Sequence, residues 1–414
     1  MSDRPHVAFL NRVYPPTPGA TGALLAELAP ALVVRGWRVT VLTGPAEGAP
    51  SSEGTDAGVH VERVSALPFT RESTLRRGLA YASLFPAFAA RALSIPSPDV
   101  LVTKTDPPML KVLGPLLARL TGARAVHWAQ DLYPEVAAGV GVLSENGMLT
   151  QALRRLSTAA LRGHDHVVTV GRCMRERLVQ ERGLSPDKVS VSPNWPPSVV
   201  EPVPHSDNSF RDEHDLTDRF VVMYSGNMGL AHPFDAVLDA AARLQDERPE
   251  VLFLFVGEGP QKADLKRQAE RRGLSNVRFL PFQPYERLGE SLSAADLHLV
   301  TMRPDLEGLV VPSKLYGALG AGRPSLFLGP SGSEAARVVD ENECGTVLPS
   351  ADGASLAAAI RRWHDAPERW GNASDRAYAA VADGFDEAVE RFDSLLQASS
   401  ESPRRGTDRP DQFR

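Results

Sequence analysis

Short apolar runs alternate along the chain with longer stretches whose apolar residues recur every three or four positions. The runs are HVAFLN (6–11), WRVTVLT (37–43), DVLVTK (99–104), RAVHWAQ (124–130), HVVTV (166–170) and KVSVS (188–192). A strand covered on one face alternates apolar with polar, whereas one covered on both faces reads as a near-continuous apolar run. Between the runs, segments such as Ala23–Val34 and Met109–Leu120 have helical spacing. The pattern predicts parallel strands joined by crossover helices. It restarts with FVVMYSG (220–226), VLFLFVG (251–257), NVRFL (276–280), ADLHLV (295–300) and PSLFLG (324–329).

Between the two series, residues 194–218 are rich in proline and charge and have no helical period, which reads as a linker. The expected organisation is an N-terminal Rossmann-like domain at 1–193, a second at 219–384, an amphipathic helix at 385–398 and a disordered tail at 399–414. A length of 414 residues suits two domains. The predicted fold is α/β, two doubly wound domains facing across a cleft. Ligands of such sheets bind at the carboxyl ends of the strands.

Composition narrows the partners. With 45 basic and 51 acidic side chains the net charge is −6, which argues against a general nucleic-acid binder. Two distant cysteines, Cys173 and Cys344, support neither a disulfide framework nor a cysteine-built zinc site. The start of the chain reads as no export signal, and no stretch approaches the ~18 apolar residues of a membrane span. The expectation is a cytoplasmic protein that can lie against a membrane. Residues 71–93 supply the surface for that contact, with Arg71, Arg76, Arg77 and Arg91 flanking Tyr81, Phe85 and Phe88. The competing reading is a core-packing helix kinked at Pro86.

Candidate chemistry sits just after the strands. Gly19 and Gly22 precede a helix and form either a ligand-facing loop or a tight turn. Gly226 and Asn227, in YSGNMG, can offer backbone amides to a phosphate. Glu258, in VGEGP, either lines the ligand cleft or belongs to a plain turn. Gln130, Asp131 and Glu135 follow a central strand of the first domain and are expected at the cleft, although Asp131 could equally cap a helix. His127, deeper in that strand, reads as a core histidine.

MRPDLEGLVVPSKLYGALGAGRP (302–324) is the most informative stretch. Arg303 and Lys314, near a helix start at Ser313, could neutralise a diphosphate. Only six of the 45 basic residues are lysines, so Lys314 stands out. The alternative is an ion pair between Lys314 and Glu307.

The order and spacing of PPTPGATGALLAELAPALVVRGWRVTVLTG, QDLYPE, PNW, YSGNMG, VGEGP and EGLVVPSKLYGALGAGRP resemble family 4 glycosyltransferases of the GT-B fold. The likeness runs over about residues 6–395. The last stretch is most similar to the branch of L-fucosamine and other surface-polysaccharide transferases. The resemblance implies transfer, with retention, from a nucleoside-diphosphate sugar (UDP-linked by expectation) to a glycan or lipid-linked acceptor. It implies a donor in the second domain and an acceptor in the first. Lys314 and Arg303 would hold the diphosphate and Glu307 would contact the donor sugar. The Gly19–Gly22 turn would face the donor, and Asp131 would orient the acceptor beside Gln130 and Glu135. Gly317 stands where the family has a second glutamate, usually the ribose contact. No metal site and no further cofactor are expected. Two rivals remain: a sugar-nucleotide 2-epimerase and a non-catalytic sugar-nucleotide-binding protein.

Overall fold

The computed structural model describes residues 4–46, 54–67, 74–350 and 352–401. The chain forms two compact units. One runs up to Pro193 and takes in the chain again from Asp386; the other is Asn194–Phe385.

The first unit holds the strands β1 (His6–Leu10), β2 (Arg38–Thr43), β3 (Gly54–Asp56), β4 (Val59–Arg63), β5 (Val100–Thr103), β6 (Arg124–Ala129), β7 (His166–Thr169) and β8 (Val189–Val191). They lie in the order β3-β4-β2-β1-β5-β6-β7-β8, parallel except for the β3–β4 pair. Its helices are α1 (Ala20–Val34), α2 (Thr74–Ser94), α3 (Leu113–Thr121), α4 (Glu135–Gly139), α5 (Met148–Gly163) and α6 (Arg172–Gln180). The central strands are buried along their length, as their apolar runs require.

In the second unit β9 (Phe220–Ser225), β10 (Val251–Val256), β11 (Val277–Leu280), β12 (Leu297–Thr301), β13 (Ser325–Leu328) and β14 (Gly345–Leu348) form a parallel sheet ordered β11-β10-β9-β12-β13-β14. Its helices are α7 (Ser209–Glu213), α8 (Asp235–Glu247), α9 (Lys262–Arg271), α10 (Leu288–Ser293), α11 (Lys314–Gly320), α12 (Glu334–Glu341), α13 (Gly353–His364) and α14 (Pro367–Ala379). Both sheets reverse strand order beside their first strand, the place where such folds bind ligands.

Two expected boundaries change. The segment 194–218 is no bare connector, because it belongs to the second unit. Asn208 caps α7, and the buried Arg211 donates to the carbonyls of Ala294, Leu216 and Arg219. The last helix, α15 (Gly384–Glu401), runs three residues past its expected end. From Asp386 on it joins the first unit. Phe392 packs on Trp128 at 4.6 Å, and the Trp37 indole donates to Asp393 at 2.8 Å. Residues 402–414 of the expected tail lie outside the described residues.

Candidate active site

The expected residues gather in two clusters, one per unit. In the second unit, β9 runs into Gly226 and β10 into Gly257 and Gly259, all at positive φ. A side chain at Gly257 would run into the Gly226 carbonyl, and one at Gly259 would come within 2.6 Å of the Met228 backbone. Only glycine allows the two loops to lie back to back. They are tied by Gly226 N–H to Val256 O and Met228 N–H to Glu258 O. Glu258 is not a free carboxylate, since Lys262 donates to it at 2.6 Å.

Lys314 opens α11, and its Cε lies 3.3 Å from where a Cβ of Gly226 would stand. Its ammonium donates to His232 Nε2 at 2.9 Å. The direction is fixed chemically. His232 Nδ1 lies 2.6 Å from the Thr301 carbonyl, which can only accept, so Nδ1 carries the proton and Nε2 is bare. Burial, then the neighbouring lysine, lowers the His232 pKa to about 3, so the ring is neutral. Burial alone pulls Lys314 down to about 7. The ammonium also lies 4.9 Å from the Tyr224 ring centroid, and the Tyr224 hydroxyl donates to Asn227 O.

The other residues of this cluster differ from expectation. Arg303 is not a free cation: its guanidinium forks onto Asp305 at 2.8 and 3.1 Å on the surface. Glu307 does not pair with Lys314; its carboxylate lies against Gly332. Ser313 is exposed and makes no side-chain cap bond. A side chain at Gly317 would point at Leu292, in an apolar cluster, so a glutamate there would meet carbon.

In the first unit the cluster follows β1, β5 and β6. Arg12 forks onto Asp106 at 2.6 and 2.7 Å. The Thr105 hydroxyl accepts from the backbone N–H of Gln130 and Asp131 at 2.8 and 3.3 Å. Burial first, then the Asp106 charge, raises the Asp131 carboxyl to about 6, with Lys111 opposing. Lys111 is buried, donates to Tyr133 O at 2.9 Å and is lowered to about 8, chiefly by burial. Asp131 is half-buried at this edge and caps no helix; α4 begins after Pro134. The buried Gln130 Oε1 has no hydrogen-bond partner among the described residues.

Glu135, expected on the acceptor side, is buried and held by Arg182, with Arg154 at 3.6 Å. It is a structural ion pair. Gly19 and Gly22 let α1 start against the loop before it: a Cβ at Gly22 would stand 2.7 Å from Val13 O. That geometry is a tight turn, and nothing in it points to a ligand. His127 is a core histidine, donating to Thr103 O and lying beside His164.

Sequence reasoning passed over His232, Tyr224, Arg12, Asp106 and Lys111. Position was the available signal for Tyr224, Arg12 and Asp106, which stand within three residues of a strand's carboxyl end; His232, seven residues past β9, and Lys111 carried no such mark.

Known proteins add the family. A "Glycosyl transferase 4-like domain" family matches residues 19–195, and "Glycosyl transferases group 1" matches residues 206–379. The chain is 31% identical over 336 residues to the putative colanic acid biosynthesis glycosyl transferase WcaI of Escherichia coli K12, covering 75% of this chain and 79% of that one. It is 30% identical to the probable glycosyltransferase WbjE of Pseudomonas aeruginosa, covering 63% and 65%. Sucrose-phosphate synthase from Thermosynechococcus elongatus superposes with a TM-score of 0.73 at 17% identity, over 95% of this chain and 99% of that one. HepE from Anabaena, in complex with UDP-glucose, gives 0.70 at 16% over 95% and 98%. These structures are of the GT-B fold, as is this chain. The epimerase reading finds no support among these proteins.

Proposed function

Because the chain belongs to the family 4, group 1 glycosyltransferases of surface-polysaccharide biosynthesis, we propose that its second unit binds a uridine-diphosphate sugar and its first unit the acceptor. The supporting observation is Lys314. Its ammonium is partly withdrawn from water beside a glycine loop, and its hydrogen-bond partner is a neutral imidazole rather than a carboxylate. Such a cation suits an arriving anion.

As the glycosidic bond breaks, its electron pair passes to the diphosphate oxygen, and Lys314 meets the charge that builds there. His232 holds the lysine in place until then. The acceptor hydroxyl attacks the anomeric carbon on the face the diphosphate leaves, and its proton passes to the departing phosphate. The product keeps the donor's anomeric configuration. Asp131, ionised above pH ~6, orients that hydroxyl. The acceptor is a glycan or a lipid-linked sugar, and the enzyme works in the cytoplasm with peripheral contact to the membrane.

The leaving-group charge is met by the protein, so the reaction needs no metal ion. The test is release of nucleoside diphosphate from a panel of sugar nucleotides and acceptors, with and without a chelator. Acceptor-dependent release that persists with chelator is expected. Strict Mg²⁺ dependence, or binding of a sugar nucleotide without transfer, would contradict the mechanism.

A further inference from the structure

Lys111 is buried in the first unit, although an ammonium loses much on leaving water. It stands in a single helical turn, Leu110–Val112, that follows β5. The turn opens after Met109, whose φ of +69° lies in the left-handed region that side chains other than glycine rarely adopt. Past that strained residue Leu110 and Lys111 are both buried. Strain of this kind persists where the surroundings enforce it, and it gathers at working sites.

Three groups beside Lys111 could use its charge, all on the segment Asp131–Glu135. The Tyr133 carbonyl accepts from Lys111 at 2.9 Å, but it also accepts from the Ser157 hydroxyl of α5 at 3.0 Å. Glu135 is held by Arg182, with Arg154 at 3.6 Å. Asp131 lies in the field of Lys111, and among the described residues no other cation acts on its carboxyl. Asp106, although engaged by Arg12, pushes against the Asp131 charge. The remaining neighbours are neutral. Burial keeps the His127 ring without its second proton, and burial keeps the Tyr133 phenol protonated.

We propose that Lys111 is a positioning residue for the acceptor step: its buried ammonium anchors the segment that carries Asp131 and supplies that carboxylate's counter-charge. The inference rests on the reading of Asp131 as the group that orients the acceptor hydroxyl. A carbonyl needs no full charge, and Ser157 already serves it. Glu135 has two arginines. The charge of Lys111 is therefore left to Asp131. Burial lowers the lysine to about 8, so it is still protonated where Asp131 titrates, near 6. Glu135 favours the charged lysine and Arg182 opposes it. A positive charge kept in a dry interior favours the neighbouring carboxylate in its ionised form.

The pH profile of kcat/KM in Lys111→Met, which keeps the bulk and removes the charge, tests this. Its acidic limb is expected to move up by about one pH unit. At pH about 6 that shift leaves roughly five-fold less ionised Asp131 and lowers turnover in proportion. The KM for the sugar nucleotide should not change. Ser157→Ala removes the other donor to the Tyr133 carbonyl and no charge, so it should leave the limb in place. Carbon-13 titration of the Asp131 carboxyl, assigned with Asp131→Asn, reads the same shift without turnover. It thereby separates a failure of Lys111 from a failure of the acceptor reading. A carboxyl that titrates in Lys111→Met as in wild type would overturn the proposal, as would a limb that Ser157→Ala moves equally. If Lys111→Met is unfolded, Lys111→Gln carries the same titration. If neither variant folds, the lysine serves the fold alone and the proposal falls.

Discussion

The two strand-end clusters both hold ion pairs, Lys262 with Glu258 and Arg303 with Asp305 in the second unit, but they differ at one cation, Lys314. In the first unit positive and negative groups answer each other: Arg12 forks onto Asp106, Arg182 holds Glu135, and Lys111 lies in the field of Asp131. Lys104 is the exception. It is fully buried against the Trp128 ring with no hydrogen-bond partner among the described residues, and burial pulls its pKa well below the ordinary lysine value. In the second unit Lys314 has, among the described residues, only a neutral histidine as hydrogen-bond partner and stays within reach of protonation at neutral pH. A compensated cluster suits a neutral hydroxyl. A cation without a counter-charge suits an anion. The difference supports the proposal that diphosphate binds in one unit and acceptor in the other.

The largest effect expected is on Lys314→Ala, which should lower turnover at least ~100-fold, the scale of losing one charge-stabilising donor. Arg303→Ala, already spent on Asp305, should cost less than about ten-fold in the same assay. Equal losses would erase the contrast between a free and a paired cation.

Asp131→Asn should lower kcat by about 100-fold. In wild type, kcat/KM should climb through pH about 6 as Asp131 ionises. It should fall above about 7 as Lys314 loses its proton. Asp106→Asn removes a neighbouring negative charge, so the acidic limb should move to lower pH and the alkaline limb should stay.

His232→Ala should cost about ten-fold in kcat by letting the lysine wander. As a positioning effect it should also shift the alkaline limb, which a merely structural loss would leave in place.

The smallest effect concerns Lys104. Its folded pKa lies well below the ordinary value, so the unfolded chain binds more protons across that window. Stability should therefore rise with pH from the folded pKa up to ~10.4. Lys104→Met should flatten that rise and stabilise the protein at pH 7 by roughly 1 kcal/mol or more. Urea unfolding at several pH values measures both.

Eleven strands were legible in the sequence, the central ones as near-continuous apolar runs because both faces of each sheet are covered there, and the edge strands β8 and β11 as shorter mixed runs. β4 was not, since VHVER alternates near the sheet edge and its Glu62 is paired by Arg91. β14 is a half-buried edge strand of four residues. The amphipathic pattern of α15 was readable, but its packing on Trp37 and Trp128 depends on residues hundreds of positions away. Lys314 stood out by the scarcity of lysine. Its tie to His232 spans 82 positions and leaves no local mark. Glu135 misled because Arg182 neutralises it from 47 residues downstream.

The most direct test is calorimetry of uridine diphosphate binding at pH 8 in buffers of different ionisation heat. The free lysine is then mostly unprotonated, and an incoming anion should restore its charge. Wild type is expected to take up most of one proton on binding, and Lys314→Ala none, with weaker affinity. Binding of equal strength in both proteins without proton uptake would contradict the claim that Lys314 receives the diphosphate.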